Sequence, residues 1–212
     1  YLKQFGWQGV VDGMGSGVYR STPLARLNVT EGLSTPLAQQ AYEEFYDYMG
    51  GKPVHATLAT HWARLVEMLH AGEKVLAFAR HEELTDPDIR TIPTETPTEG
   101  IGIVEAPRGL LTHHYITDEQ GILKKVNLIV GTTNNNAAIC MSVKKAAQAL
   151  IGGGKEITQG LLDRVEMAFR AYDPCNACAT HAAPGDMALE VLVYDHRGEL
   201  VADLSRVPAE GR

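Results

Sequence analysis

The 212-residue chain is 44% apolar and 21% charged, with 26 acidic against 19 basic side chains, a globular composition with room for one domain or two small ones. Its formal charge of −7, with no long run of either sign, gives it no electrostatic attraction to nucleic acid or anionic lipid. No apolar stretch reaches the roughly 18 residues that span a bilayer, and the absence of a signal-peptide pattern points to a cytoplasmic location. Three cysteines, an odd number, argue against a disulfide framework and leave metal binding or redox chemistry as their use. The chain opens on Tyr1, in "YLKQFGWQGVVDGMG", and not on a methionine, and reads as an entry into the middle of a longer protein.

Residues 1–33 are glycine-rich and irregular. "LSTPLAQQAYEEFYDYMGG" then carries Thr35 as a cap, Pro36 at the first helical position and a Gly50-Gly51 stop, which predicts a helix. From Val54 to about Ala79, Leu58, Trp62, Leu65, Val66, Leu69 and Leu76 keep a helical period. The proline-, threonine- and glutamate-containing stretch from His81 to Gly100 reads as a surface connection. The period then falls to two, predicting a short strand, a loop at Pro107–Gly109 and a hairpin turning at "TDEQG". A helix through Ile139, Val143, Ala146, Ala147 and Leu150 follows, then another through Leu161, Val165, Ala168, Phe169 and Tyr172. The second stops at Asp173-Pro174, because a residue before proline avoids helical geometry. A last hairpin turns at His196–Gly198. The expected class is α+β, mainly α, with small antiparallel hairpins. His113 and His114 occupy adjacent strand positions and cannot face one site, and His61 and His70 read as packing or surface residues of the long helix.

The chemistry concentrates in "AYDPCNACATHAAPGD". Asp173 can cap a new helical turn with Pro174 first, placing Cys175 at a positive helix end that favours thiolate. Cys175 and Cys178, three apart, share a face of such a turn, and His181 is the next step. Spacing alone leaves three readings open. One is a zinc site, with Cys140 as an added ligand unless it is simply a buried cysteine of an apolar helix. Another is a dithiol redox pair, and the third is a pair buried without function.

"DPCNACATH" resembles the C-terminal D-P-C-x-x-C-x-x-H signature of the large subunit of nickel–iron hydrogenases. "YRSTPLARLNVTEGLSTPLA", "THWARLVEMLHAGEKV", "EAPRGLLTHHY" and "LIVGTTNNN" are similar to further segments of that family in the same order, in the style of its cytoplasmic members. The resemblance implies that Cys175 binds nickel terminally and Cys178 bridges it to an iron carrying two cyanides and a carbon monoxide, with Cys175 also taking a proton during H2 cleavage. It further implies that Arg108 donates to one cyanide, held by Asp173, and that Pro107 and Leu111 wall the diatomic ligands. Thr132 would donate to the other cyanide. His181, with the backbone carbonyl of Leu128, would ligate a separate magnesium or iron.

Taken singly, Arg108 also reads as a loop residue, Thr132 as a cap of the following helix and Asp173 as a cap. The resemblance departs at Gly131, where many members have proline. The family's first cysteine motif, R-x-C-G-x-C-x-x-x-H, and its proton-gate glutamate do not occur, and no cysteine precedes Cys140. The resulting expectation is the C-terminal half of a large subunit over residues 1–181, followed at 182–212 by an extension removed during maturation. Expected partners are a chain or segment with the first cysteine motif, an iron–sulfur small subunit, diaphorase, flavin or heterodisulfide-linked subunits, maturation chaperones and a C-terminal endopeptidase. Three alternatives are an immature, non-catalytic precursor, a zinc-binding module, and the quinone-site subunit of respiratory complex I. Cys175 and Cys178 argue against the last.

Overall fold

The structure is a computed structural model that describes residues 2–151, 157–174 and 189–206. The chain divides into two compact units, Tyr1–Ala138 and Ile139–Arg212.

In the first unit, short 3-10 turns precede α1 (Pro23–Val29), α2 (Pro36–Met49) and α3 (Ala59–Phe78). Helix α1 was not expected within the irregular N-terminal stretch. Its start is well determined locally: Pro23 stands at the first position, and the Thr22 hydroxyl accepts from the Ala25 amide at 3.2 Å, satisfying one of the amides a helix start leaves open. Helix α2 begins at Pro36 as predicted, but the Thr35 side chain does not cap it. The Thr35 hydroxyl instead meets His70 Nδ1 at 2.8 Å. The Glu73 carboxylate of α3 takes its place, accepting from the amides of Leu37 at 3.1 Å and Ala38 at 2.9 Å. A carboxylate suits that position, because it meets both open amides and the positive end of the helix dipole. Gly50, left-handed at φ 82°, ends α2 where a side chain would be strained.

The three helices enclose a core of Leu24, Leu27, Tyr42, Phe45, Tyr46, Val54, Ala59, Ala63 and Val66. Phe45 is completely buried and makes edge-to-face contacts with Tyr46 at 4.9 Å and Trp62 at 5.3 Å, a favoured aromatic geometry. Asn28 ties the segment after α2 to α1, donating to the Val54 carbonyl at 2.7 Å and accepting from its amide at 3.0 Å.

Glu73 also supplies a pH-dependent element of stability. Desolvation raises its pKa, but the Thr35 hydroxyl, the Ala38 and Leu37 amides and nearby His70 outweigh it and hold the carboxyl below its ordinary value. A carboxylate with a depressed folded-state pKa stabilises above its unfolded pKa, and that contribution is lost as pH falls through the folded value. Glu73→Gln is therefore expected to lower the melting temperature at pH 7. The gap from wild type should narrow as both proteins are melted at successively lower pH, below the ordinary glutamate range.

Strands β1 (Glu99–Ala106), β2 (Gly109–Thr117) and β3 (Leu123–Ile129) form an antiparallel meander in that order. The first strand is thus a full partner of the predicted hairpin. Ala106 pairs with Gly109, so the expected loop is a two-residue turn of Pro107 and Arg108. At the β2–β3 turn, the Asp118 carboxylate lies 2.9 Å from Lys124 and accepts from the amides of Ile122 and Gln120. These contacts, Lys124 foremost, hold its pKa down.

Helix α4 (Gly131–Ile151) begins at the end of this unit and continues into the second, which also contains α5 (Gln159–Arg170) and the antiparallel pair β4 (Leu189–Tyr194) and β5 (Leu200–Arg206). Thr158 caps α5, accepting from the Leu161 amide at 3.4 Å. The buried Tyr172 reaches Ser142 Oγ at 2.8 Å. The β4–β5 turn falls at His196–Gly198 as read from the sequence, with the Asp195 carboxylate accepting from the amides of Arg197 and Glu199. The mainly helical α+β class is as expected. Among the described residues, no helix is long and apolar enough to cross a membrane.

Candidate metal-centre scaffold

Arg108 sits at the tip of the two-residue turn between β1 and β2, and its Nε is shut off from solvent. Three devices hold this turn. Gly109 has φ +145°, and a Cβ there would lie 2.3 Å from the Ser21 carbonyl oxygen and 2.7 Å from Ser21 Oγ. Only glycine permits both that conformation and that approach. The second device is the Arg26–Glu67 pair, whose two N–H···O contacts are each 2.6 Å. Arg26 also donates to the carbonyls of Ala106 and Pro107 at 3.0 Å each, so a helix-borne ion pair grips the residues before Arg108. Burial lowers the Arg26 pKa, but Glu67, by hydrogen bond and charge, and the charge of Glu105 more than reverse that. The guanidinium is held firmly charged.

The third device is a pair of asparagines in the first turns of α4. Asn134 accepts from the Tyr19 hydroxyl at 2.5 Å and donates to the carbonyls of Leu110 at 2.7 Å and Val130 at 3.3 Å. Asn135 is completely buried. It accepts from the Ser21 amide at 2.9 Å and donates to the carbonyls of Arg108 at 3.0 Å and Gly131 at 3.2 Å. Gly131 lies against the turn, since a Cβ on it would stand 3.0 Å from the Gly109 nitrogen and 3.1 Å from the Arg108 carbonyl carbon. This close approach gives glycine a physical reason at the position where the family resemblance has proline.

Of the residues singled out from sequence, Arg108 and Thr132 are thus carried by two interlocked backbone segments. Thr132 is half-buried in the first turn of α4. Pro107 is exposed, and Leu111 is half-buried on β2, paired with Val104. Leu128 lies on β3 opposite His113. His113 bonds to the Tyr115 hydroxyl at 2.6 Å and His114 to Glu99 at 2.7 Å, so the two histidines do take separate partners. Asp173 belongs to the second unit and is left-handed, with φ 48°. Its amide donates to the Arg170 carbonyl at 3.0 Å. That conformation closes α5, whereas a residue starting a helix as N-cap is normally extended.

Cys175, Cys178 and His181 lie outside the described residues, and so does the helical turn expected from Pro174. Cys140 is free and exposed, which corrects the buried-cysteine reading. The buried side of α4 is taken by Asn134, Asn135, Ala138 and Ile139, and the next residue rotates away from it. Among the described residues, no group of three or more His, Cys, Asp or Glu side chains is arranged to hold a metal ion.

The sequence reading passed over Tyr19, Ser21, Arg26, Glu67, Asn134 and Asn135. The asparagine run carried a usable signal. Asn is disfavoured inside helices because it competes for backbone groups, and here two asparagines precede Ala138 and Ile139 by one helical turn, on the same face.

Similarity running from the N-terminal helices through the arginine turn to the cysteine motif places the chain among proteins of nickel–iron hydrogenase large-subunit type. The chain belongs to the nickel-dependent hydrogenase family, whose model matches residues 16–181. It is 52% identical over 201 residues to an F420-non-reducing hydrogenase iron-sulfur subunit of Archaeoglobus profundus, covering 95% of this chain and 41% of that protein. To the NAD-reducing hydrogenase HoxS subunit beta of Cupriavidus necator it is 45% identical over 213 residues, covering 97% and 41%. The crystal structure of an NAD+-reducing NiFe-hydrogenase in the H2-reduced state superposes with a TM-score of 0.75 at 40% identity, over 85% of this chain and 38% of that one. The chain therefore spans about two-fifths of the length of the curated relatives it matches.

Proposed function

We propose that this chain is part of the catalytic subunit of a nickel–iron hydrogenase, which oxidises H2 reversibly and passes electrons to an iron–sulfur small subunit. The observation that carries this reading is the convergence of the Arg108 turn and the start of α4 on the buried amide of Asn135. Buried polar groups are expensive to maintain, and this network fixes two donor-bearing residues that the family resemblance assigns to one centre.

The residues fit the group. Thiolates from Cys175 and Cys178 are soft donors suited to nickel, and the glycine-lined backbone beside Arg108 carries a guanidinium whose Nε is closed to water. When bound, the nickel–iron centre with its two cyanides and carbon monoxide supplies the two-electron chemistry of H2 cleavage. In this reading Cys175 and Cys178 would hold the nickel and iron through their thiolates, and Cys175 Sγ would accept a proton. Arg108 and Thr132 would donate to the diatomic ligands, Pro107 and Leu111 would wall them once the centre is assembled, and Asp173 would be the charged partner that the resemblance gives Arg108. His181 and the Leu128 carbonyl would be the ligands of a magnesium or iron ion. Residues 182–212 follow the end of the family match at His181 and form the segment an endopeptidase removes once nickel is in place.

Metal analysis with infrared spectroscopy of the protein, purified with its accompanying chains, tests this. The expected result is nickel and iron together with C≡N and C≡O stretching bands and H2 uptake. Zinc in their place, with no such bands, would overturn the proposal in favour of a zinc-binding module. Stoichiometric nickel on a chain still ending at Arg212 would overturn the assignment of the extension.

A further inference from the structure

We propose that Asn135 is a positioning residue whose side-chain amide sets the spacing between Arg108 and Thr132, so that guanidinium and hydroxyl address the metal centre as a matched pair. This rests on the functional reading above. An amide has two N–H donors, and the two shortest contacts of Asn135 Nδ2 are to the carbonyl of Arg108 itself and to that of Gly131, the neighbour of Thr132. A third contact, to the Ser21 carbonyl at 3.5 Å, is at the limit of hydrogen bonding. The Oδ1 atom takes the Ser21 amide. One side chain with no exposed surface thereby joins the two donor-bearing segments to each other and both to a third.

The backbone packing makes this spacing sensitive. A Cβ on Gly131 would stand 3.0 Å from the Gly109 nitrogen and 3.1 Å from the Arg108 carbonyl carbon, so the two segments leave no room for a side chain between them, and the shared amide keeps them from drifting apart. A positional error at either donor matters because charge-stabilising donors act through distances held to fractions of an ångström.

Asn135→Asp separates positioning from mere support. It keeps an acceptor for the Ser21 amide but turns an oxygen toward the carbonyls of Arg108 and Gly131, driving the two segments apart. Gly131→Ala perturbs the same contact with Asn135 left in place. In metal-loaded protein, both variants are expected to shift or broaden both C≡N bands relative to wild type. A role confined to stability would lower the melting temperature and leave the bands of the folded, loaded protein where they were, and that result overturns the proposal. Hydrogen exchange on metal-free protein provides a readout independent of loading. Amides at 106, 108–111 and 130–134 are expected to exchange at least about tenfold faster in Asn135→Asp, with the α2 core little changed. Equal exchange at those amides in variant and wild type would also overturn it. Wild-type protein without C≡N bands would remove the functional reading and this inference together, which is distinguishable from unchanged bands in the variants.

Discussion

Gly109→Ala is expected to destabilise the first unit by about 3 kcal/mol, combining the strain of a side chain at an unfavourable backbone conformation with forced overpacking. At φ +145° the added methyl would sit 2.3 Å from the Ser21 carbonyl oxygen, closer than any real contact, and the obstacle is backbone. A flexible side chain could swing away, but Ser21 is held by Asn135 through its amide and lies directly before the α1 cap. Either the Arg108 turn or the start of α1 must move. Since domains are stable by only about 5–15 kcal/mol, chemical denaturation should show the loss clearly. The adjacent glycines of β1 make the control: Gly100 and Gly102 have no atom within 4 Å of a built Cβ, so Gly102→Ala is expected to stay within about 0.5 kcal/mol of wild type. A Gly109→Ala protein as stable as Gly102→Ala would show that the turn does not press on Ser21.

The contrast between these glycines shows where sequence reading reaches its limit. Periodicity reported what each segment does along its own length. It located α3, α4, α5 and the strands because each repeats its apolar residues over several turns or pairs, while α2 was marked by its start and stop residues. Helix α1 has the same Thr-Pro-Leu-Ala opening as α2, at residues 22–25 and 35–38, but is too short to repeat a pattern beyond Leu24 and Leu27. The Thr35 position was legible as a helix start. That Glu73 would do the capping was not, because the carboxylate arrives from another helix. The buried reading of Cys140, one of the two the sequence left open, fails because Asn134 and Asn135 share the inward face with Ala138 and Ile139 and turn the cysteine outward.

The same distinction governs the candidate site. Arg108 and Thr132 were identified one at a time, each by likeness to a family segment, and family membership bears out the resemblance. What joins them is a set of hydrogen bonds between residues far apart in sequence, from Ser21 through Asn135 to Arg108. No local pattern encodes such bonds. Buried asparagines in a helix mark only that some distant partner must exist.

If Arg108 and Thr132 donate to the metal centre as proposed, their removal should differ in size in a way that a general loosening of the scaffold would not reproduce. A hydrogen bond from a charged donor contributes about 1.5–3 kcal/mol and one from a neutral hydroxyl about 0.5–1.5 kcal/mol, and each 1.4 kcal/mol is about a factor of ten in rate. Arg108→Met, which keeps an apolar stem and loses every donor, is expected to reduce H2 turnover by about a hundredfold or more. Thr132→Val, which preserves the shape and loses only the hydroxyl, is expected to cost about tenfold. Nickel content is measured alongside turnover in both, so that loss of metal is not mistaken for loss of rate. The double variant decides whether the residues act on one centre: with the two donors coupled through it, the combined loss is expected to fall short of the product of the single losses. Single losses of equal size, or a Thr132→Val loss exceeding that of Arg108→Met, would contradict the assignment of the charged donor to Arg108.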